Sequence, residues 1–382
     1  MIDKYYNGVI EQVVSGIGNV EHNSILVRYS NDFSIWDLES VNHYKDQSDI
    51  FFTCHEFSYN KIAEAYEPYL GLIRQMFHRY CSGTLEEFME ECDVYKLQRP
   101  VFESYFEKGF CERTEQILID EVEYEQERMR NSIVTMLQKL SEIRPVVIVL
   151  NRFQLASKST MQLSNSLLQV KNKNIGIVLG VNDVQSIPEF AHEEWDAICE
   201  SMDDRNMVYH IGNAGRNMEP DVMDYYSDYE SDDGYRKLNN LVYFLDFDQA
   251  DHHLSKIERR IKFDNFTISE KKHYQLLLLQ IMVSVLQRDI AKALESCEDL
   301  EKLQDQEKEG AFYYNFWMAT SYMYLGKLEE AMIYVQKAKE CGEALGDDFL
   351  VFRAELLKAQ NQMSGWYNVT FLFISSSCEI SL

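Results

Sequence analysis

Three short constellations carry side-chain types that chemistry needs. The first is Asn151-Arg152, which follows the aliphatic run Val146-Val147-Ile148-Val149-Leu150. A buried strand that ends in carboxylates at this point can hold Mg²⁺ and help orient a phosphoryl transfer. Asn supplies no charge and Arg repels a cation, so this pair predicts no such reaction. The second is Asp251-His252-His253, which has the composition of a phosphoesterase metal motif. It stands in a helical stretch with no matching acidic strand end, which predicts a surface position or packing between helices. The third is Cys54-His55-Glu56, for which no second ligand pair lies at zinc spacing.

Other candidates are weaker. Ser15-Gly16-Ile17-Gly18-Asn19 is glycine-rich but has no Lys, and it reads as a turn. The acidic tract around Asp232 and Asp233 lacks the twelve-residue calcium-loop pattern and reads as a solvated linker. Neither a G-x-S-x-G elbow nor an H-E-x-x-H helix occurs. These readings predict no catalytic residue, no metal and no cofactor.

The elements that position these residues change character along the chain. Ser24–Tyr29 and Asp49–Cys54 are short β-rich runs. Tyr66, Tyr69, Leu70, Ile73 and Phe77 recur at helical steps and predict a helix over 62–80. A long amphipathic helix is predicted over 114–143, and a further helix over 160–170. Val146–Leu150 and Ile175–Gly180 are continuous apolar runs, as expected of strands covered on both faces of a parallel sheet. Val208–Ile211 is a further strand candidate. Strands alternating with helices predict an α/β domain over 1–211. An acidic linker follows over 212–236, and the remainder reads as helical to residue 368.

The helical half is repetitive. In the unit from Asn315 to Lys339, Tyr322, Gly326, Ala331, Val335 and Ala338 fall at the offsets of a tetratricopeptide repeat, after Met318 and Ala319. Small residues let two helices approach, and glycine permits the turn between them. Ala293 lies 38 residues before Ala331, Ala250 lies 43 residues before Ala293, and Gly365 lies 39 residues after Gly326. These copies predict an all-α solenoid of helical hairpins over 237–368. The segment Val369–Ile374 is apolar and β-prone and does not continue the repeat, so 369–382 reads as an irregular tail. The chain is expected to be shorter than its family's full architecture.

Charge bounds the partners. The chain has 63 acidic and 37 basic residues, a formal charge of −26. Such a surface repels nucleic acid and anionic membranes. The eight cysteines form no C-x-x-C pair, the start is not a signal peptide, and no membrane span is predicted. A cytoplasmic protein is expected.

The order of elements over 20–211 resembles the ATPase module of STAND-class signalling proteins, AAA-like P-loop NTPases often followed by tetratricopeptide repeats in bacterial regulators and nucleotide or diguanylate cyclases. Ser24–Tyr29 resembles the first strand, and Phe51–Glu56 the second strand and its exit. Tyr66-Glu67-Pro68-Tyr69-Leu70-Gly71-Leu72-Ile73 is similar to the Pro-anchored helix start. Arg144–Leu155 resembles the Walker B strand, Ala156–Thr160 the turn that follows, and Ile175–Asn182 the sensor strand.

The departures from that pattern decide the expectation. After the first strand stands Ser30-Asn31-Asp32-Phe33-Ser34-Ile35-Trp36, without Gly or Lys. A P-loop needs both, to cradle and reach phosphates. The positions that would touch nucleotide are therefore degenerate at Ser30, Asp32, Asn151, Arg152 and Asn182. The expectation is a pseudo-ATPase that does not hydrolyse ATP, joined to repeats that bind a partner protein. Tyr313, Phe316, Thr320 and Met323 are the candidate groove residues. The alternatives are a nucleotide-binding switch, or the sensory N-terminal part of a longer regulator or cyclase whose output domain is absent.

Overall fold

A computed structural model describes residues 2–19, 23–30, 34–45, 49–58, 61–111, 122–170, 172–182, 189–203, 207–211, 231–263 and 266–378. The chain divides into two compact units, residues 1–250 and 251–382. Among the described residues no helix is long and apolar enough to cross a membrane.

The first unit is built on five parallel strands: β1 (Ser24–Tyr29), β2 (Phe51–Glu56), β3 (Val146–Asn151), β4 (Ile175–Asn182) and β5 (Val208–Ile211), in the spatial order β2-β3-β4-β1-β5. Every residue of β3 and β4 is buried, which explains why these strands read as unbroken apolar runs.

Helix α1 (Ile2–Gly16) lies against β4. The contact depends on Gly176 and Gly180, four residues apart on one face of the strand. A Cβ at Gly176 would stand 2.7 Å from Val13 Cγ1, and one at Gly180 would collide with the Tyr6 hydroxyl.

The remaining helices of the first unit are α2 (Glu39–Tyr44), α3 (Tyr69–Tyr80), α4 (Leu85–Glu91), α5 (Arg99–Lys108), α6 (Val122–Ile143), α7 (Lys158–Gln169), α8 (His192–Asp203) and α9 (Asp232–Tyr243). Helix α3 begins at Tyr69 rather than at residue 62, because Pro68 disfavours helical backbone at the residue before it. Part of the acidic stretch is helical too. Ser231 caps α9 by accepting from Gly234 N at 2.9 Å, and Asp232 and Asp233 sit in the first turn, where acidic side chains suit the helix dipole. Residues 212–230 of the expected linker and 114–121 of the expected long helix lie outside the described residues.

Helix α10 (Phe247–Phe263) contains the division between the units. It is followed by α11 (Glu270–Leu286), α12 (Ile290–Leu303), α13 (Gly310–Tyr324), α14 (Leu328–Leu345) and α15 (Asp348–Cys378). Within the second unit, α11 packs on α12, α13 on α14, and α14 on α15.

One turn geometry recurs. Leu245, Arg288 and Gly326 have φ values of 66°, 66° and 71°. In each case the next residue donates its N–H to the carbonyl five residues back: Asp246 to Leu241 at 2.8 Å, Asp289 to Ser284 at 2.8 Å and Lys327 to Tyr322 at 3.0 Å. This is the hydrogen bond that closes a helix with a left-handed residue. Five residues beyond each turn stand Ala250, Ala293 and Ala331, and all three are fully buried. The register read from the alanines therefore coincides with the backbone register.

The copy placed at Gly365 does not form a turn, because α15 runs through it, and Val369–Ile374 is helical rather than extended. Helix propensity differs by less than about 0.7 kcal/mol per residue for β-branched and aromatic side chains, so an established hydrogen-bond ladder extends through them.

Candidate functional site

In open parallel sheets a ligand sits beyond the carboxyl ends of the strands, where the chain's path reverses across the sheet. Here β1 lies between β4 and β5. The chain leaves β1 for β2 at one edge, and leaves β4 for β5 on the other side of β1. A ligand of this sheet would sit at the crest formed by the ends of β1, β3 and β4. This crest holds Tyr29, Asn151 and Asn182, each the last residue of its strand.

Asn151 is completely buried and Asn182 nearly so. The Tyr29 hydroxyl donates to Asn151 Oδ1 at 2.7 Å. Because β4 separates β1 from β3, this bond passes over β4, and the bare Cα of Gly180 leaves room for it: a Cβ there would stand 2.7 Å from Asn151 Oδ1. The Tyr6 hydroxyl lies over the same glycine. Burial, reinforced by neighbouring Tyr29, Cys54 and Glu56, pushes the Tyr6 phenol well above its ordinary range. Tyr6 is therefore a neutral group at any ordinary pH. Asn182 N donates to Gln154 Oε1 at 3.2 Å.

Arg152 leaves the strand in a left-handed conformation, φ 53°. Its guanidinium turns to Glu56 at the end of β2, with Nη1 3.3 Å from Oε1. The other oxygen of Glu56 accepts from Ser34 Oγ at 3.0 Å and from Ile35 N at 3.2 Å. These two donors belong to the segment after β1, which in a P-loop would offer its N–H groups to phosphate. Here the anion that they meet is a carboxylate of the same chain. Ser30 is half-buried in a bend directly after β1, and Asp32 lies outside the described residues.

A second polar cluster ties the β2–α3 connection to α7 and α9. Ser157 Oγ donates to Glu64 O, Thr160 Oγ1 to Glu67 O, and Asn240 Nδ2 to Glu64 Oε2. Burial pushes the Glu64 carboxyl up to about 7, helped by Glu67. Burial also drives His55 down to about 4, so its 3.5 Å contact with Glu67 is that of a neutral imidazole rather than an ion pair. Among the described residues no group of three or more His, Cys, Asp and Glu side chains has metal-binding geometry.

Asn151 and Asn182 end the adjacent strands β3 and β4 at the crest, and Arg152, next after Asn151, turns to Glu56. The fold adds Tyr6, Tyr29, Ser34 and Gln154, which sequence reasoning did not single out, and Glu56, which the sequence offered only within the Cys54-His55-Glu56 trio. The Asp251-His252-His253 trio serves helix packing: Asp251 Oδ1 pairs with Lys292 Nζ at 2.6 Å and accepts from Gln280 Nε2 at 3.0 Å, while His253 is buried.

The four candidate groove residues of α13 divide. Phe316 is buried, stacked on Phe312 and covered by the Arg353 guanidinium 4.4 Å from its ring. Thr320 is fully buried and donates to Phe316 O at 2.9 Å. Both belong to packing between helices. Tyr313 and Met323 are half-exposed.

Comparison with protein-family models and with curated proteins gave no match.

Proposed function

We propose that this chain is a non-catalytic interaction protein: a degenerate STAND-like ATPase module in the cytoplasm, followed by tetratricopeptide-like hairpins that bind a partner protein. The observation that carries this reading is the Glu56 carboxylate. It takes the Ser34 hydroxyl and the Ile35 N–H, and Arg152 balances its charge. The donors that a phosphate would need are engaged from within the chain. The strand end that would carry Mg²⁺ ligands presents a buried amide and a cation. The recurring turns at Leu245, Arg288 and Gly326, with a buried alanine five residues after each, support the hairpin reading. Tyr313 and Met323 are the candidate groove residues that remain reachable.

Titration of the full chain with a fluorescent ATP analogue, with and without Mg²⁺, tests the first half. The expected result is no saturable change, and saturable binding displaced by unlabelled ATP overturns it. A paired Tyr313→Ala and Met323→Ala variant tests the second half, since interface aromatics often dominate binding. It is expected to lose a partner that the wild-type chain captures from its source cells, with an unchanged melting temperature. Full retention of that partner removes the hairpin assignment.

A further inference from the structure

Strand β2 is an edge of the sheet, with β3 as its strand neighbour. In a parallel ladder the N–H and C=O of one residue point to the same side, and successive residues alternate. Phe51 N and Phe57 N both donate toward the β3 side, to Pro145 O and Asn151 O. Residues 51, 53, 55 and 57 therefore face β3, and the main chains of Phe52 and Cys54 face outward. Among the described residues no partner takes these outward groups.

This open edge is the floor of a groove of about 400 Å³ between α2 and α3. Trp36 and Lys45 line one wall, and Arg79 and Tyr80 the other. Among the described residues no acidic side chain lines it. Arg79 lies 5.4 Å from the Tyr80 ring, and neither Lys45 nor Arg79 has an ion-pair partner among the described residues. In a chain with 63 acidic residues against 37 basic ones, two such cations on either side of a strand edge that no described strand pairs are a specific feature.

We propose that the edge of β2 accepts an extended, acidic segment of a partner protein as a sixth strand. The main chains of Phe52 and Cys54 supply two donors and two acceptors, Lys45 and Arg79 meet carboxylates of the incoming segment, and Trp36 and Tyr80 cover its alternate side chains. Strand addition draws affinity from main-chain bonds and specificity from such flanking pockets. A second copy of this chain fits worse. Edge-to-edge pairing would bring two identical cation-flanked edges together, and like charges placed opposite one another oppose pairing. The surface is independent of the hairpins, so it stands or falls apart from the function proposed above.

A random twelve-residue peptide library displayed on phage, panned against the full chain, provides the probe. The enriched sequences are expected to carry Asp or Glu among β-branched and aromatic residues. The best synthetic peptide is expected to slow amide exchange at Phe52 and Cys54 while leaving Thr53 and His55 unchanged. Methylating alternate backbone nitrogens of that peptide should abolish binding. A Lys45→Glu, Arg79→Glu variant, altered only at exposed side chains, should bind about tenfold more weakly. Cys54→Pro removes an outward donor without touching the β3 ladder, and it should not bind. The proposal is overturned if no acidic sequence is enriched, if the methylated peptide still binds, if the charge-reversed variant binds as well as wild type, or if protection falls elsewhere. It is equally overturned if Phe52 and Cys54 become protected without peptide as protein concentration rises, because the occupant would then be a second copy.

Discussion

The hydroxyl of Tyr29 at the end of β1 reaches the amide oxygen of Asn151 at the end of β3, across an intervening strand, at 2.7 Å. Both residues are buried, so the bond ties together three strands at the crest of the sheet.

Tyr29→Phe leaves a buried amide oxygen unpaired and is expected to cost about 1–3 kcal/mol in urea unfolding. Gly180→Ala forces a methyl group into Tyr6 and Asn151, an overpacking that also costs about 1–3 kcal/mol. The two changes act on one cluster, so the double variant should lose less than the sum. Strict additivity would show that the crossing over Gly180 is not a shared unit.

Placing carboxylates at the end of β3, as Asn151→Asp with Arg152→Glu, is not expected to create ATP turnover. The segment after β1 still has neither Lys nor Gly over residues 30–36, and Glu56 loses its counter-charge. Arg152→Ala alone should cost about 2 kcal/mol, because the Glu56 side chain is only 9% exposed. Phosphate release and urea unfolding are the measurements. Turnover above background in the double variant would contradict the assignment of this end of the sheet.

Ala331 is fully buried on α14, five residues after the Gly326 turn. Ala331→Leu should therefore cost about 1–3 kcal/mol by overpacking. Gly326→Ala should cost about 1 kcal/mol, since its φ of 71° is unfavourable to any Cβ. Melting temperatures of the two variants check both values. An unchanged melting temperature for Ala331→Leu would place the repeat register elsewhere.

Burial, with the nearby positive groups His252 and Lys256, drives His253 down to about 3 from an ordinary 6.5. Its folded pKa is depressed, so its contribution to stability is complete above pH 6.5. That contribution is lost as pH falls from 6.5 toward 3, while the unfolded chain binds a proton that the folded chain refuses. The loss is about 1.4 kcal/mol per pH unit within that window. His253→Gln should flatten this part of the stability curve, measured by urea unfolding at pH 7.5, 6 and 5. A variant that parallels wild type throughout would show that His253 titrates freely.

Much of the architecture was legible because burial leaves a strong imprint. Val146–Leu150 and Ile175–Gly180 are apolar at every position, and the strands prove to be covered on both faces. The alanine spacing coincides with the recurring turns, since Ala250, Ala293 and Ala331 are each buried five residues after a left-handed residue. Strand order was not legible, and with it went the meeting of Tyr29 with Asn151, since nothing local in either residue points across β4. Glu56 looked like a strand exit, and its role depends on a loop 21 residues earlier in the chain. On α13 apolar residues surround the helix, so periodicity could not separate an open face from a packed one. Phe316 and Thr320 were sorted only by their contacts with Arg353 and with the helix backbone.

The carboxylate of Glu56 has a further consequence for the segment that follows β1. A loop ordered by a diffusible anion gains stability by mass action, as the logarithm of solute concentration over its dissociation constant. Ser34 and Ile35 instead receive their acceptor from β2, tethered in the same fold, at an effective concentration fixed by covalent structure. On the reading proposed above, the Ser34 and Ile35 donors therefore need no phosphorylated metabolite as their acceptor.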